Sequence, residues 1–138
     1  MNWLHWALLS AVFAGLTAVL AKVGVKDVDS NLATAIRTVV ILLFAWSVAL
    51  VRGAGGLAAV PARAWLFLVL SGLATGASWL CYFRALQLGQ ASRVAPVDKL
   101  SVVFAIAFAA LFLREPLTWQ HFVGGGLIVA GAIVLAWV

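Results

Sequence analysis

Apolar residues fall in five long runs, at about 3–25, 31–51, 65–89, 93–113 and 118–138, separated by short stretches that hold charge, glycine and proline. The hydrocarbon core of a bilayer is about 30 Å thick, and a helix rising about 1.5 Å per residue crosses it in about 20 residues. Each run reaches that length, and together they consume nearly all of the 138 residues. The pattern predicts an all-α, polytopic membrane protein: one domain over 1–138 with five transmembrane helices, its surroundings the lipid bilayer.

The interruptions read as helix ends. The first run exceeds the apolar length of a cleaved signal and has no Lys or Arg before it, so it is expected to stay as the first helix. The stretch from Val25 to Asn31 is polar, and Ser30 or Asn31 is the expected N-cap of the second helix. Gly53, Gly55, Gly56 and Pro61 punctuate the next loop, with Arg63 and Trp65 at re-entry. The fourth helix is expected to begin at Ser92 or Arg93, with Pro96 in its first turn or so, where a missing N–H is harmless. Arg114-Glu115-Pro116 stops it, and Thr118 can cap the fifth. Trp3, Trp6, Trp65, Trp119 and Trp137 lie near helix ends, as interfacial aromatics do; Trp46 and Trp79 lie deeper, with Tyr82 one turn after Trp79.

Composition narrows the class. Charged residues make up 9% of the chain and hydrophobic ones 66%, against about a quarter charged in a soluble domain. The net charge of +5 is spread over the connections, with no basic cluster of the kind that binds nucleic acid or lipid headgroups. Cys81 is a single mid-helix cysteine, which excludes a disulfide framework and a metal-ligand pattern. His5 and His121 sit near helix ends and read as interfacial. Three of the four carboxylates, Asp27, Asp29 and Glu115, fall in loops, and no nucleophile, base and acid come together. An enzyme is therefore not expected, nor a cofactor, a metal or any catalytic residue.

Small residues show where backbones can approach. The first helix has Ala7, Ala11, Ala14, Ala18 and Ala21 on one stripe; the third has Gly72 and Gly76; the fifth has Gly124, Gly125, Gly126, Ala130 and Gly131. In lipid, close packing of such residues supplies much of helix association. Packing within one subunit explains the first and third helices; on the terminal fifth, a dimer contact is equally consistent.

The embedded charges carry the candidate chemistry. Arg37 lies about two turns into the second helix, Arg84 about a turn before the end of the third, and Asp98 and Lys99 about a turn and a half into the fourth, with Lys22 at the rim. A charge at the bilayer centre costs about 2.5–3.5 kcal/mol on insertion scales, so these residues are expected to face the protein interior. One reading is a salt-bridge network led by Asp98 and Arg37, with Arg84 reaching to the interface. The other is a polar vestibule whose surplus positive charge favours an anionic or zwitterionic solute, with Trp79 and Tyr82 as an aromatic wall.

Four stretches resemble the EamA-domain proteins of the drug/metabolite transporter superfamily: Trp6 to Lys22, Ala35-Ile36-Arg37, Ala85-Leu86-Gln87-Leu88-Gly89, and Leu111 to Thr118 followed by a glycine-rich helix. The resemblance covers essentially the whole chain and is similar to the single-repeat, five-helix bacterial and archaeal group, whereas larger members carry two repeats. It departs from the four-helix multidrug relatives, whose first helix bears a central carboxylate, since Ala11, Ala14 and Gly15 stand there. The resemblance implies a transporter subunit of the inner (plasma) membrane that moves a small-molecule substrate by alternating access and pairs as a homodimer to rebuild a full path. Substrate binding is expected at Arg37, Asp98, Lys99, Trp79, Tyr82 and Lys22. A non-transporting accessory subunit, half of a heteromeric transporter, and a flippase for lipid-linked sugar or phosphate are the alternatives. Five spans put the termini on opposite sides. Arg52, Arg63 and Arg114 on one side then balance Lys22, Lys26 and Arg93 in the connections of the other. That tie gives the positive-inside rule little to act on and is what an antiparallel, dual-topology pair requires.

Overall fold

The computed structural model describes residues 2–53 and 56–137; Gly55 and Val138, which the sequence places in a loop and at the end of the fifth run, lie outside them. Among the described residues the structure is all helical, with helices α1 (Trp3–Gly24), α2 (Ser30–Val51), α3 (Ala62–Leu88), α4 (Ala91–Asp98), α5 (Ser101–Phe112) and α6 (Trp119–Ala136), and a short 3₁₀ turn at Leu57–Ala59. Five stretches are long and apolar enough to cross a membrane, α4 and α5 together forming the fourth at Ala91–Phe112. Few of their residues are buried inside the chain. Phe44, Leu73 and Leu127, for example, are 71%, 67% and 69% exposed, which acyl chains tolerate and water would not.

Two local details depart from the expected ends. The N-cap of α2 is Asp29 rather than Ser30 or Asn31: its Oδ1 accepts the N–H groups of Asn31 at 2.9 Å and Leu32 at 3.0 Å. A carboxylate there satisfies two otherwise orphaned donors and faces the positive end of the helix dipole. Ser30 is instead buried in the first turn, its carbonyl accepting from Thr34 Oγ1 at 2.8 Å.

The fourth span is the larger departure. Pro96 lies inside α4, beyond the first turn, and the helix tightens three residues later. The Leu100 N–H donates to Val97 O at 3.0 Å, Val102 N–H to Lys99 O at 3.0 Å and Val103 N–H to Leu100 O at 2.9 Å, all i→i−3 bonds. Proline removes the i→i−4 bond to Ser92 O and crowds that carbonyl, on its N-terminal side, while the 3₁₀ step follows on its C-terminal side. Asp98 and Lys99 sit on that step.

The α5 end is a left-handed cap. Arg114 has φ 55°, and the Glu115 N–H reaches back to Ala109 O at 3.3 Å before Pro116 forbids continuation. At the start of α6 the Thr118 N–H donates to His121 Nδ1 at 3.0 Å, with Thr118 Oγ1 2.8 Å from the same nitrogen. An accepting Nδ1 puts the imidazole proton on Nε2. His121 is thus a helix-capping residue, and His121→Ala is expected to cost about 1 kcal/mol, read as a lower melting temperature in detergent. An unchanged melting temperature would show the cap to be idle.

The chain divides into two compact units, residues 1–23 with 88–138, and Gly24–Gln87. In the first, α6 packs on α4 and α5, burying Gly125 and Ala132. A Cβ at Gly125 would sit 4.0 Å from Val103 Cγ2, so this glycine faces a neighbour inside the chain. In the second, Val25, Phe83 and Leu86 are the buried apolar residues, and Gln87 Nε2 donates to Val25 O at 3.2 Å and Val28 O at 2.7 Å. One amide thereby fastens the loop after α1 to the last turn of α3.

Candidate functional site

The second unit holds the most distinctive polar arrangement. Arg37 sits on the eighth position of α2, about 10 Å along the helix from Ser30. Its guanidinium carbon lies 4.3 Å from the centroid of the Trp79 ring and 5.4 Å from that of Phe83, both on α3. The Tyr82 phenol is within electrostatic range of the same group. Among the described residues of this unit, no hydrogen-bond acceptor meets the Arg37 N–H groups. A desolvated cation–π contact is worth about 2 kcal/mol, which offsets much but not all of the roughly 2.5–3.5 kcal/mol that a central membrane charge costs. The contact keeps the guanidinium carbon over the Trp79 ring.

The other embedded charges have protein partners. Lys22 Nζ donates to Gly89 O at 2.7 Å, closing the C-terminal end of α3 within the first unit. A cation at a helix C-terminus is favoured by the exposed carbonyls and the dipole. Arg84 Nη1 donates to Gln87 Oε1 at 3.0 Å and so steadies the residue that fastens the loop. Lys99 Nζ lies 3.6 Å from Asp98 Oδ2, both side chains substantially exposed. Adjacent residues diverge around a regular helix; here the lysine stem bends back to its neighbour's carboxylate across the 3₁₀ step.

Of the residues expected at a site, Arg37, Trp79 and Tyr82 therefore come together in the second unit, while Lys22, Asp98 and Lys99 belong to the first. Neither Phe83 nor Gln87 stands out by residue type as a site residue. Phe83 is one of eight phenylalanines in an apolar chain, and only the α2–α3 packing singles it out. Gln87 acts on backbone carbonyls, which no residue pattern advertises.

The first unit carries an apolar groove beside α6, of about 270 Å³, whose polar wall is Glu115 and His121. Both belong to the α5–α6 turn already described, and no embedded cation opens onto it. No group of three or more His, Cys, Asp or Glu that could hold a metal ion occurs among the described residues.

Comparison with known proteins places these features in a family. The profile described as the EamA-like transporter family matches residues 1–137. A protein of Sinorhizobium sp., described as an uncharacterized transporter in the cobO 3' region, is 56% identical over 136 residues, covering 98% of this chain and 96% of its own length. No solved structure matches.

Proposed function

We propose, from the premise that the chain belongs to the EamA-like transporter family, that it carries a small anionic or zwitterionic metabolite across the inner membrane by alternating access, as a homodimer. It is a multi-pass membrane transporter and not an enzyme. The observation that carries the finer reading is the guanidinium of Arg37, held on Trp79 within a membrane span and without an acceptor among the described residues of its own unit. A transport site needs a charge that is positioned yet not already neutralised, and transporters of this build bind near the midplane between repeats.

Pairing is supported by surfaces that the chain leaves open. A Cβ added at Gly72, Gly76, Gly124, Gly126 or Gly131 would meet nothing within 4 Å, and Ala130 is exposed. Such positions let a second backbone approach closely. The balance of positive charge between the two sides supports an antiparallel arrangement.

The test is flux in proteoliposomes presented with a uniformly ¹³C-labelled cell extract, the internalised compounds being identified by mass spectrometry. Compounds taken up are expected to carry net negative charge or a zwitterion; selective uptake of quaternary ammonium compounds would refute the proposal. In the same assay Lys99→Gln is expected to lower anion flux several-fold with the fold intact, because it leaves the Asp98 carboxylate uncompensated and repelling an anion. Undiminished flux would show that the Asp98–Lys99 pair does not act on the solute.

A further inference from the structure

We infer that Arg37, stacked on Trp79 and flanked by Phe83, is an edge-on clamp for a bidentate oxyanion, a carboxylate or a phosphate group. The inference rests on the transporter reading above and names the chemical group its solute must present. It begins from the commitments of the embedded cations. Lys22 donates to Gly89 O, Arg84 to Gln87 Oε1, and Lys99 faces Asp98, so their charge is already directed at the protein. Arg37 is the embedded cation whose partners, within its own unit, are aromatic faces.

Aromatic rings and oxyanions use different parts of a guanidinium. A ring takes the planar π face and leaves all five N–H groups, which point outward in the plane, for an acceptor. Two parallel N–H groups match the oxygen spacing of a carboxylate or phosphate, whereas a monatomic anion offers them a single acceptor atom and no matching pair. Cζ lies 4.3 Å over the Trp79 ring, a separation that suits face-to-face stacking, and such a stack restricts rotation of the head and presents the edge in one plane. Trp79 is accordingly a positioning residue, and lysine, a point charge without a fork, should not replace Arg37.

The shared chemistry has two sources, a free solute and a phospholipid headgroup, and the experiment separates them. The detergent-purified full chain is treated with phenylglyoxal, and modification of the Arg37 peptide is timed by mass spectrometry in sodium chloride, in inorganic phosphate and in benzoate at equal ionic strength. Phosphate and benzoate are expected to slow Arg37 modification at least five-fold relative to chloride while leaving Arg52 and Arg63 unaffected. Trp79→Ala should abolish that protection and Trp79→Phe should retain it. Protection that appears only when phosphatidylglycerol is added assigns the clamp to a lipid headgroup and removes it from the solute path. Equal rates in every medium overturn the clamp. In proteoliposomes Arg37→Lys should lose more than ten-fold of the flux although the charge is kept; flux equal to the parent chain also overturns it. Should the parent chain move no solute at all, the transporter reading fails, and protection of Arg37 still decides the clamp separately.

Discussion

Leu86→Ala should destabilise the protein by about 2–5 kcal/mol, the range for emptying a fully packed leucine site. Leu86 is 0% exposed at the end of α3, beside Phe83 at 2% and Val25 at 1%, whereas most apolar side chains of this chain face outward. The matching control is Leu73→Ala, where the side chain is 67% exposed and truncation should shift the melting temperature little. Gln87→Leu, one residue further, strips donors from the carbonyls of Val25 and Val28 and an acceptor from Arg84. At roughly 0.5–1.5 kcal/mol per bond, its cost should approach that of the leucine change. Melting in detergent micelles reads all three variants. Equal melting of Leu86→Ala and Leu73→Ala would show that the α3 terminus is not a packed junction.

The second large effect is on labelling from outside the cell. If the chain inserts in both orientations, single cysteines at Asp27 and at Gly56, in a Cys81→Ser background, should react comparably with an impermeant maleimide applied to intact cells. These positions lie in loops at opposite ends of α2. The expectation follows from three basic residues on one side against three in the connections of the other. Reaction at only one position would establish a single orientation, and the antiparallel dimer would fall while a parallel one survived.

Helix number and placement were legible because lipid imposes a length and an apolar composition that few other structures share. Ends were legible where side chains do the capping by type, as at Thr118. The start of α2 was displaced: Ser30 or Asn31 was the expected cap, and Asp29 caps instead because its charge answers both the free N–H groups and the dipole. The step at Lys99–Leu100 was hidden because neither residue breaks a helix by type, and Pro96 acts on the turn before it. The helix starts at Ala91 rather than at Ser92 or Arg93, which puts Pro96 beyond the first turn.

At the site, insertion cost marked Arg37 as a residue needing partners and depth singled out Trp79 and Tyr82; Arg37 lies over the Trp79 ring. The identity of the partners was not legible. A carboxylate was the obvious counterpart by charge, yet in its own unit the guanidinium meets aromatic rings, a choice set by the facing of α2 and α3 rather than by composition. The duties of Lys22, Arg84 and Gln87 were hidden for a related reason: their acceptors are carbonyl oxygens or an amide at helix ends.

Counterflow tests the central claim most directly. Proteoliposomes loaded with unlabelled anionic metabolites from a cell extract are diluted into a trace of the same pool carrying ¹³C. A carrier that exposes one site alternately to each side accumulates label transiently above the outside concentration and then loses it, and that overshoot is the predicted result. Monotonic equilibration, or entry no faster than into protein-free vesicles, would contradict an alternating-access transporter of anionic or zwitterionic solutes.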